Sequence, residues 1–169
     1  MKNVDAGFAK SKYLEVSKLR TRFNLSFYRQ LEMGNKMIAL DGIKKCLLVL
    51  ETGEGFNQSY LIDLNNVVAV TVKKSYGSIR QGELRYKGME EFLERIDMQF
   101  EFANDNKTIS LTFYDHEIDD PVDRQKRDRN AKKLQMILSR MVGSKSEKTM
   151  KERNRLALVQ LPLVTGSIA

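Results

Sequence analysis

The chain has 169 residues, 41% of them hydrophobic, with one cysteine, two prolines, no tryptophan and a net charge of +7. That length allows one domain with a sizeable core, and a single cysteine excludes both an internal disulfide framework and a CxxC metal site. No apolar run approaches the roughly 20 residues that span a bilayer, and the positive balance favours anionic partners such as nucleic acid or the inner leaflet of a membrane.

Residues 1–12 are polar, small and basic, without periodicity. They are expected to be a disordered lead-in, and they lack the apolar stretch of a signal peptide. From Tyr13 to Met33 two periods compete. Leu19, Phe23, Phe27 and Leu31 recur at helical spacing, whereas Phe23, Leu25 and Phe27 alternate with Arg22, Asn24, Ser26 and Tyr28. The reading adopted is helix first and strand from Arg22, so residues 1–21 form a flexible or helical lead-in.

Gly34-Asn35 is a turn and Met37 to Leu40 a short strand. Asp41-Gly42 is the strongest hairpin signal in the chain, with Ile43 to Glu51 as the return strand. Cys46 opens the apolar run Cys46-Leu47-Leu48-Val49-Leu50 and reads as a reduced core thiol, which points to the cytoplasm. Gly53 and Gly55 give a GxG in the loop Thr52 to Asn57. There is no third glycine, no Gly-Lys-Ser/Thr and no following helix, so this is a hairpin loop and not a phosphate loop.

Tyr60 to Leu64 and Val67 to Lys74 are the next strands. In the second, Val68, Val70 and Val72 face one way and Val67, Ala69 and Thr71 the other, as in a strand covered on both faces. A glycine-containing loop follows from Ser75 to Gly88. From Lys73 to Gly88 five cations, Lys73, Lys74, Arg80, Arg85 and Lys87, face Glu83 alone, a net of +4. Met89, Phe92, Leu93 and Ile96 read as a short amphipathic turn or two of helix. Met98, Phe100 and Phe102 alternate with Gln99 and Glu101, Asp105-Asn106 is a turn, and Ile109, Leu111 and Phe113 alternate with Ser110, Thr112 and Tyr114, making a hairpin with one wet face.

Pro121 to Val142 is the one long helix. Asp120 can cap its first amides, Pro121 suits the first helical position, and Asp119, Asp120 and Asp123 complement the helix dipole. Ala131, Leu134, Leu138, Met141 and Val142 share a face that Ile137 widens, and Gly143 ends the run. Arg124, Lys126, Arg127, Arg129, Lys132 and Lys133 crowd the first turns, so the helix is expected to project at its start and to dock over its second half. Residues 143–169 form a tail: Lys145 to Arg155 is polar, and Leu156 to Ile168 is apolar but too short to span a membrane. The apolar piece has three possible fates: packing on the body, pairing with a partner, or staying loose.

The fold class is therefore α+β and mainly β. Met37-Ile38-Ala39-Leu40-Asp41-Gly42, followed by Leu61-Ile62-Asp63-Leu64-Asn65-Asn66-Val67-Val68-Ala69-Val70-Thr71-Val72, resembles bacterial pleckstrin-homology-like (PH-like) domains over residues 22–142. The resemblance implies a roll of six or seven antiparallel strands in two sheets packed nearly at right angles, closed by one long C-terminal helix. Such rolls bind phosphoinositides, peptides or other proteins, and some only scaffold. Two features depart from the pattern: the insertion from Gly77 to Ile96, and the basic first half of the helix.

The run Asp115-His116-Glu117-Ile118-Asp119-Asp120 holds the single histidine. One histidine cannot supply a usual zinc set, the spacing is not that of an EF-hand, and no triad partner is indicated; the run reads as a solvated turn capping the helix. No metal, cofactor or catalytic residue is expected, and the chain reads as non-enzymatic. The basic segments are the candidate ligand surface: Lys73, Lys74, Arg80, Arg85 and Lys87 in the loop, with Arg124 and Arg127 on the helix. Three functions follow. The first is a cytoplasmic interaction module acting on a protein partner or an anionic lipid surface at the inner face of a membrane. The second is a nucleic-acid-binding β roll using Tyr76 and Tyr86 to stack on bases; against it, Arg124, Lys126, Arg127 and Arg129 cannot all face one groove. The third is a structural subunit that docks through its tail.

Overall fold

The computed structural model describes residues 4–104 and 107–143, with side chains from residue 11 onward. It divides after Asn65 into two compact units. Among the described residues they hold seven antiparallel strands in sheets of four and three, with a C-terminal helix, an α+β and mainly β set consistent with a PH-like roll.

The first unit is a helix on a four-stranded meander. α1 (Val4–Arg22) precedes β1 (Phe27–Met33), β2 (Lys36–Asp41), β3 (Cys46–Gly53) and β4 (Phe56–Asp63), which pair in sequence order. The lead-in expected to be disordered is thus helical from Val4, and the strand expected from Arg22 starts at Phe27. The helix stops because Asn24 takes a left-handed φ of 49°, while the amides of Asn24 and Leu25 bond back to the carbonyls of Thr21 and Arg20. Val16 and Leu19 pack on Met37, Ala39, Leu48 and Leu50, with Phe23, Phe27 and Leu61 alongside. One helical turn earlier, Lys12 is 5% exposed. Its ammonium pairs with Glu32 at 2.5 Å and donates to the Gly34 carbonyl, and the Tyr13 hydroxyl donates to Glu32 at 3.1 Å. The helix is therefore fastened to the β1–β2 turn by charge and to the sheet by apolar contact.

The hairpin at Asp41-Gly42 is present, but its return strand starts at Cys46 and not at Ile43. The Asp41 carboxylate accepts hydrogen bonds from the amides of Ile43 at 2.9 Å and Lys44 at 2.8 Å, and Lys45 takes a φ of 53°, so these residues are spent on the loop. β3 and β4 are joined by the two-residue turn Glu54-Gly55, where Gly55 supplies a φ of 77°.

The second unit is a three-stranded meander under a helix. β5 (Val67–Tyr76), β6 (Leu93–Phe102) and β7 (Thr108–Asp115) pair in sequence order, and α2 (Arg124–Met141) packs against all three. Three expectations need correction here, each because of a β-bulge or a polar contact. β5 is not covered on both faces: Val67 and Val70 are buried but Val68 is 45% exposed, and a register shift between Val67 and Ala69 breaks the alternation. The short helix over Met89 to Ile96 is only a 3-10 turn, Met89–Phe92. Leu93 and Ile96 lie in β6, and their helix-like spacing comes from Glu94, the extra residue between the pairs Ser75↔Arg95 and Tyr76↔Leu93. On β7, Phe113 is the extra residue between Thr112 and Tyr114, so both aromatics are buried and Tyr114 leaves the wet face.

Asp120 accepts from the Val122 amide at 2.9 Å, but what it caps is the 3-10 turn Pro121–Asp123; α2 itself starts at Arg124 behind Asp123, which makes no side-chain cap bond. Ala131, Leu134, Leu138 and Val142 are buried, Ile137 and Met141 half-buried, and Gly143 closes the run at a φ of 71°. The first half of the helix does not project. Arg127 is 7% exposed, the Arg124 guanidinium donates to the Glu90 carbonyl, and Asp128 pairs with Lys74 of β5 at 3.1 Å. The polar half docks through hydrogen bonds and ion pairs where the second half docks through apolar side chains. The predicted turn at Asp105-Asn106 and the tail from Ser144 onward, including Leu156 to Ile168, lie outside the described residues. No described helix is long and apolar enough to cross a membrane.

Candidate anion-binding surface

The loop from Gly77 to Phe92 leaves the sheet between β5 and β6 and is closed at its base by the Gly77 amide, which donates to the Phe92 carbonyl at 2.8 Å. Inside it the chain is held by its own hydrogen bonds. The Glu83 carboxylate accepts the Arg80 amide at 2.8 Å, and the Glu83 carbonyl accepts the amides of Tyr86 and Lys87. Gly82, at a φ of 89°, makes the reversal that a side chain would oppose. Glu83 is thus a scaffold for the cations beside it as well as their counter-charge.

The seven predicted cations separate into two groups. Lys73, Arg80, Arg85 and Lys87 are exposed, and none of them forms an ion pair among the described residues. The Lys87 ammonium stands 5.7 Å from the centre of the Phe92 ring, a cation–π contact that leaves it open to solvent. Lys74, Arg124 and Arg127 turn inward instead. Lys74 bridges Glu90 at 3.3 Å and Asp128 at 3.1 Å; Arg124 is bonded to the Glu90 carbonyl; Arg127 reaches Asp119 and the Phe113 carbonyl. These three join the loop, β5, β7 and the helix and present little charge to a ligand.

Burial works against the charge of Lys74, but its bonds to Asp128 and then Glu90 outweigh it and hold its pKa above the usual lysine value. Burial likewise works against Asp128, yet hydrogen bonds from Lys132 and Lys74 leave its carboxyl below the usual carboxylate range. The pairing stabilises both charged forms, as expected of a structural contact in place of a reactive one.

Sequence reasoning named Tyr86 on this surface but missed the exposed Leu84 and Met89 beside it. Leu84 is 54%, Tyr86 88% and Met89 45% exposed, all on the same loop as the unpaired cations. An apolar residue in a short loop gives no periodic signal, so only its exposure identifies it. Tyr76, expected like Tyr86 to stack on bases, is half-buried.

The acidic run is spent on local structure. Asp115 accepts the Glu117 amide, Asp119 accepts the Asp115 amide and pairs with Arg127, and Asp120 caps the 3-10 turn ahead of α2. Among the described residues, no group of three or more His, Cys, Asp or Glu side chains is arranged to hold a metal ion. An open depression of about 400 Å³ in the second unit is lined by Val68, Glu101, Phe102, Ala103, Lys107 and Thr108. Cys46 is buried, and burial, followed by Asp41 and Asp63, pushes its thiol up to about 11. In comparison with known proteins, the chain matches no family model, and neither a curated protein nor a solved structure matches it significantly.

Proposed function

We propose that this chain is a non-enzymatic, PH-like interaction module that rests its β5–β6 loop on the anionic cytoplasmic face of a membrane. The observation that carries the reading is the mixture on that loop: Leu84, Tyr86 and Met89 stand exposed beside the unpaired Arg80, Arg85 and Lys87. Cations alone would suit any polyanion, whereas exposed apolar side chains among cations suit a surface that is charged at the headgroups and apolar just beneath. The three loop cations, Arg80, Arg85 and Lys87, at about 1 kcal/mol each give only millimolar binding. Burying Leu84 and Tyr86, each worth about 1.5–3 kcal/mol when fully covered, brings the total into the micromolar range. That is an upper bound, because Glu83, Glu90 and Glu91 share the loop.

Flotation with vesicles tests the reading. The chain should float with vesicles rich in phosphatidylserine and stay down with neutral ones. Arg85→Glu with Lys87→Glu should abolish flotation, and Tyr86→Ala should weaken it at fixed salt. Equal flotation with neutral vesicles, or a Tyr86→Ala variant that behaves as the parent while binding single-stranded DNA or RNA, would overturn it.

A further inference from the structure

The cations of α2 that do not turn inward are arranged in a line. Lys126, Arg129, Lys133 and Arg140 follow one another at three-, four- and seven-residue spacing, and each is exposed. Met136, 55% exposed, fills the remaining place in the same row. At 3.6 residues per turn these five positions fall within about 80° of arc and run about 21 Å along the axis. The opposite side of the helix carries Arg127, Ala131, Leu134 and Leu138, all buried, so the row faces away from the sheet.

The row is also unneutralised. Lys132, on the flank, pairs with Asp128 at 2.8 Å, but the four cations of the row form no ion pair among the described residues. Arg129, Lys133 and Arg140 have no acidic residue three or four places away on the helix; Lys126 has Asp123 three places before it, without an ion pair between them. Instead Lys126 and Arg129, and Arg129 and Lys133, are like charges at the spacings that bring helix side chains together, an arrangement that destabilises an isolated helix. A bound polyanion would relieve that repulsion.

We propose that the outer face of α2 is a docking strip for an acidic helix of a partner protein. The strip is straight, narrow and rigid, because the other side of the helix is packed. Its alternating three- and four-residue spacing is that of a helix–helix seam, so a second helix with glutamates or aspartates at the same spacing can oppose each cation along the whole length. A membrane would demand apolar side chains along the face, and Met136 is the one the row supplies. A duplex strand turns once in about 34–36 Å and would wind more than half a turn away from a straight strip of this length. The strip has no aromatic side chain on which single-stranded bases could stack. This surface is separate from the loop and does not depend on the loop's role.

The test uses the whole chain and a labelled helical peptide of about 20 residues carrying glutamates at alternating three- and four-residue spacing. A scrambled peptide of the same composition, duplex DNA and anionic vesicles serve as rival probes. Binding read by anisotropy should favour the patterned peptide over the scrambled one. Arg129→Glu with Lys133→Glu should weaken it by at least about tenfold, since like-charge juxtaposition replaces complementarity. Circular dichroism of that variant should match the parent, because neither side chain contributes to the core. Arg85→Glu with Lys87→Glu should leave peptide binding unchanged. Equal affinity for the scrambled peptide, tighter strip-dependent binding to DNA or vesicles, or loss of peptide binding in the loop variant would each overturn the proposal.

Discussion

The guanidinium of Arg127 meets the carboxylate of Asp119 at 3.3 Å beside the start of α2, with 8% and 20% of their side chains exposed. A second nitrogen of Arg127 donates to the Phe113 carbonyl at 3.4 Å. One cation thus joins the helix, the turn before it and the last strand. Removing it leaves the half-buried Asp119 carboxylate with the Asp115 amide but no counter-charge, and the Phe113 carbonyl without this donor, a larger loss than that of a surface ion pair. Arg127→Ala should lower unfolding free energy by about 1–3 kcal/mol, the long distances placing it below the range for tighter buried pairs. Urea denaturation measures this. Vesicle binding at a temperature where the variant is folded should be unchanged, because Arg127 offers no charge to solvent.

Lys74 and Asp128 make the same kind of join between β5 and α2, with Glu90 and Lys132 at its ends. Asp128 has a folded pKa below its ordinary 3.8, so its contribution is fully present above that value and is lost as pH falls through the lower folded one. Lys74 has a folded pKa above 10.5, so its contribution is present below that value and is lost as pH rises through the higher folded one. Asp128→Asn should therefore be destabilised relative to the parent at neutral pH, and the gap should narrow below pH 3.8. Unfolding curves from pH 2 to 7, with parent and variant compared at each pH, check this; a gap that stays constant into acid would contradict it.

The parts of this fold that were legible in the sequence are those where one period governs a whole element. α2 has apolar residues at three- and four-residue spacing, a proline opening the 3-10 turn that leads into it and a glycine just past its end, and all three signals agree. β6 and β7 show clean alternation through Met98, Phe100, Leu111 and Phe113, all buried. Reading failed where two periods overlapped or where a single residue was out of phase. Leu19 belongs to α1, Phe23 lies just past its end and Phe27 belongs to β1; Asn24, a residue type that takes the left-handed stop, was read as part of the strand alternation. Bulges at Glu94 and Phe113 imitated a helix and a wet tyrosine. At the site, charge was legible but direction was not. Lys73 and Lys74 are neighbours in sequence, yet one is exposed and the other bridges two carboxylates, Glu90 and Asp128, which no local pattern assigns to it.

Asp41 carries more of the first unit than its place in a hairpin suggests. It is 1% exposed and accepts hydrogen bonds from Ser26 at 2.7 Å, Lys44 at 2.8 Å and Ile43 at 2.9 Å. Burial alone would raise its pKa, but these three backbone amides bring it below the ordinary value. Asp41→Ala strands three amides and unties the segment entering β1 from the β2–β3 loop. The expected cost is about 2–4 kcal/mol, from unsatisfied donors at about 1–3 kcal/mol each with partial rescue by water. Asp41→Asn keeps one acceptor oxygen and should recover part of it. If thermal unfolding places Asp41→Ala level with a surface substitution such as Glu54→Ala, this account of the loop is wrong.

Cys46 gives a chemical readout of the same region. Its thiol is buried and pushed up to about 11, burial being the larger cause and the carboxylates of Asp41 and Asp63 adding to it. The thiolate is the reactive form, so near pH 8 the native protein should react with iodoacetamide far more slowly than a free cysteine, whose pKa is about 8.5. The difference in pKa alone slows alkylation by more than about tenfold, and burial adds to the protection. In denaturant the reaction should reach the ordinary rate. Asp41→Ala should accelerate native-state labelling, because it removes a nearby negative charge and loosens the loop that precedes Cys46; mass spectrometry of timed aliquots measures each rate. Rapid labelling of the folded parent at neutral pH would instead mean a depressed pKa and an open path to the sulfur, and would return Cys46 to the reactive reading that its place in an apolar strand argues against.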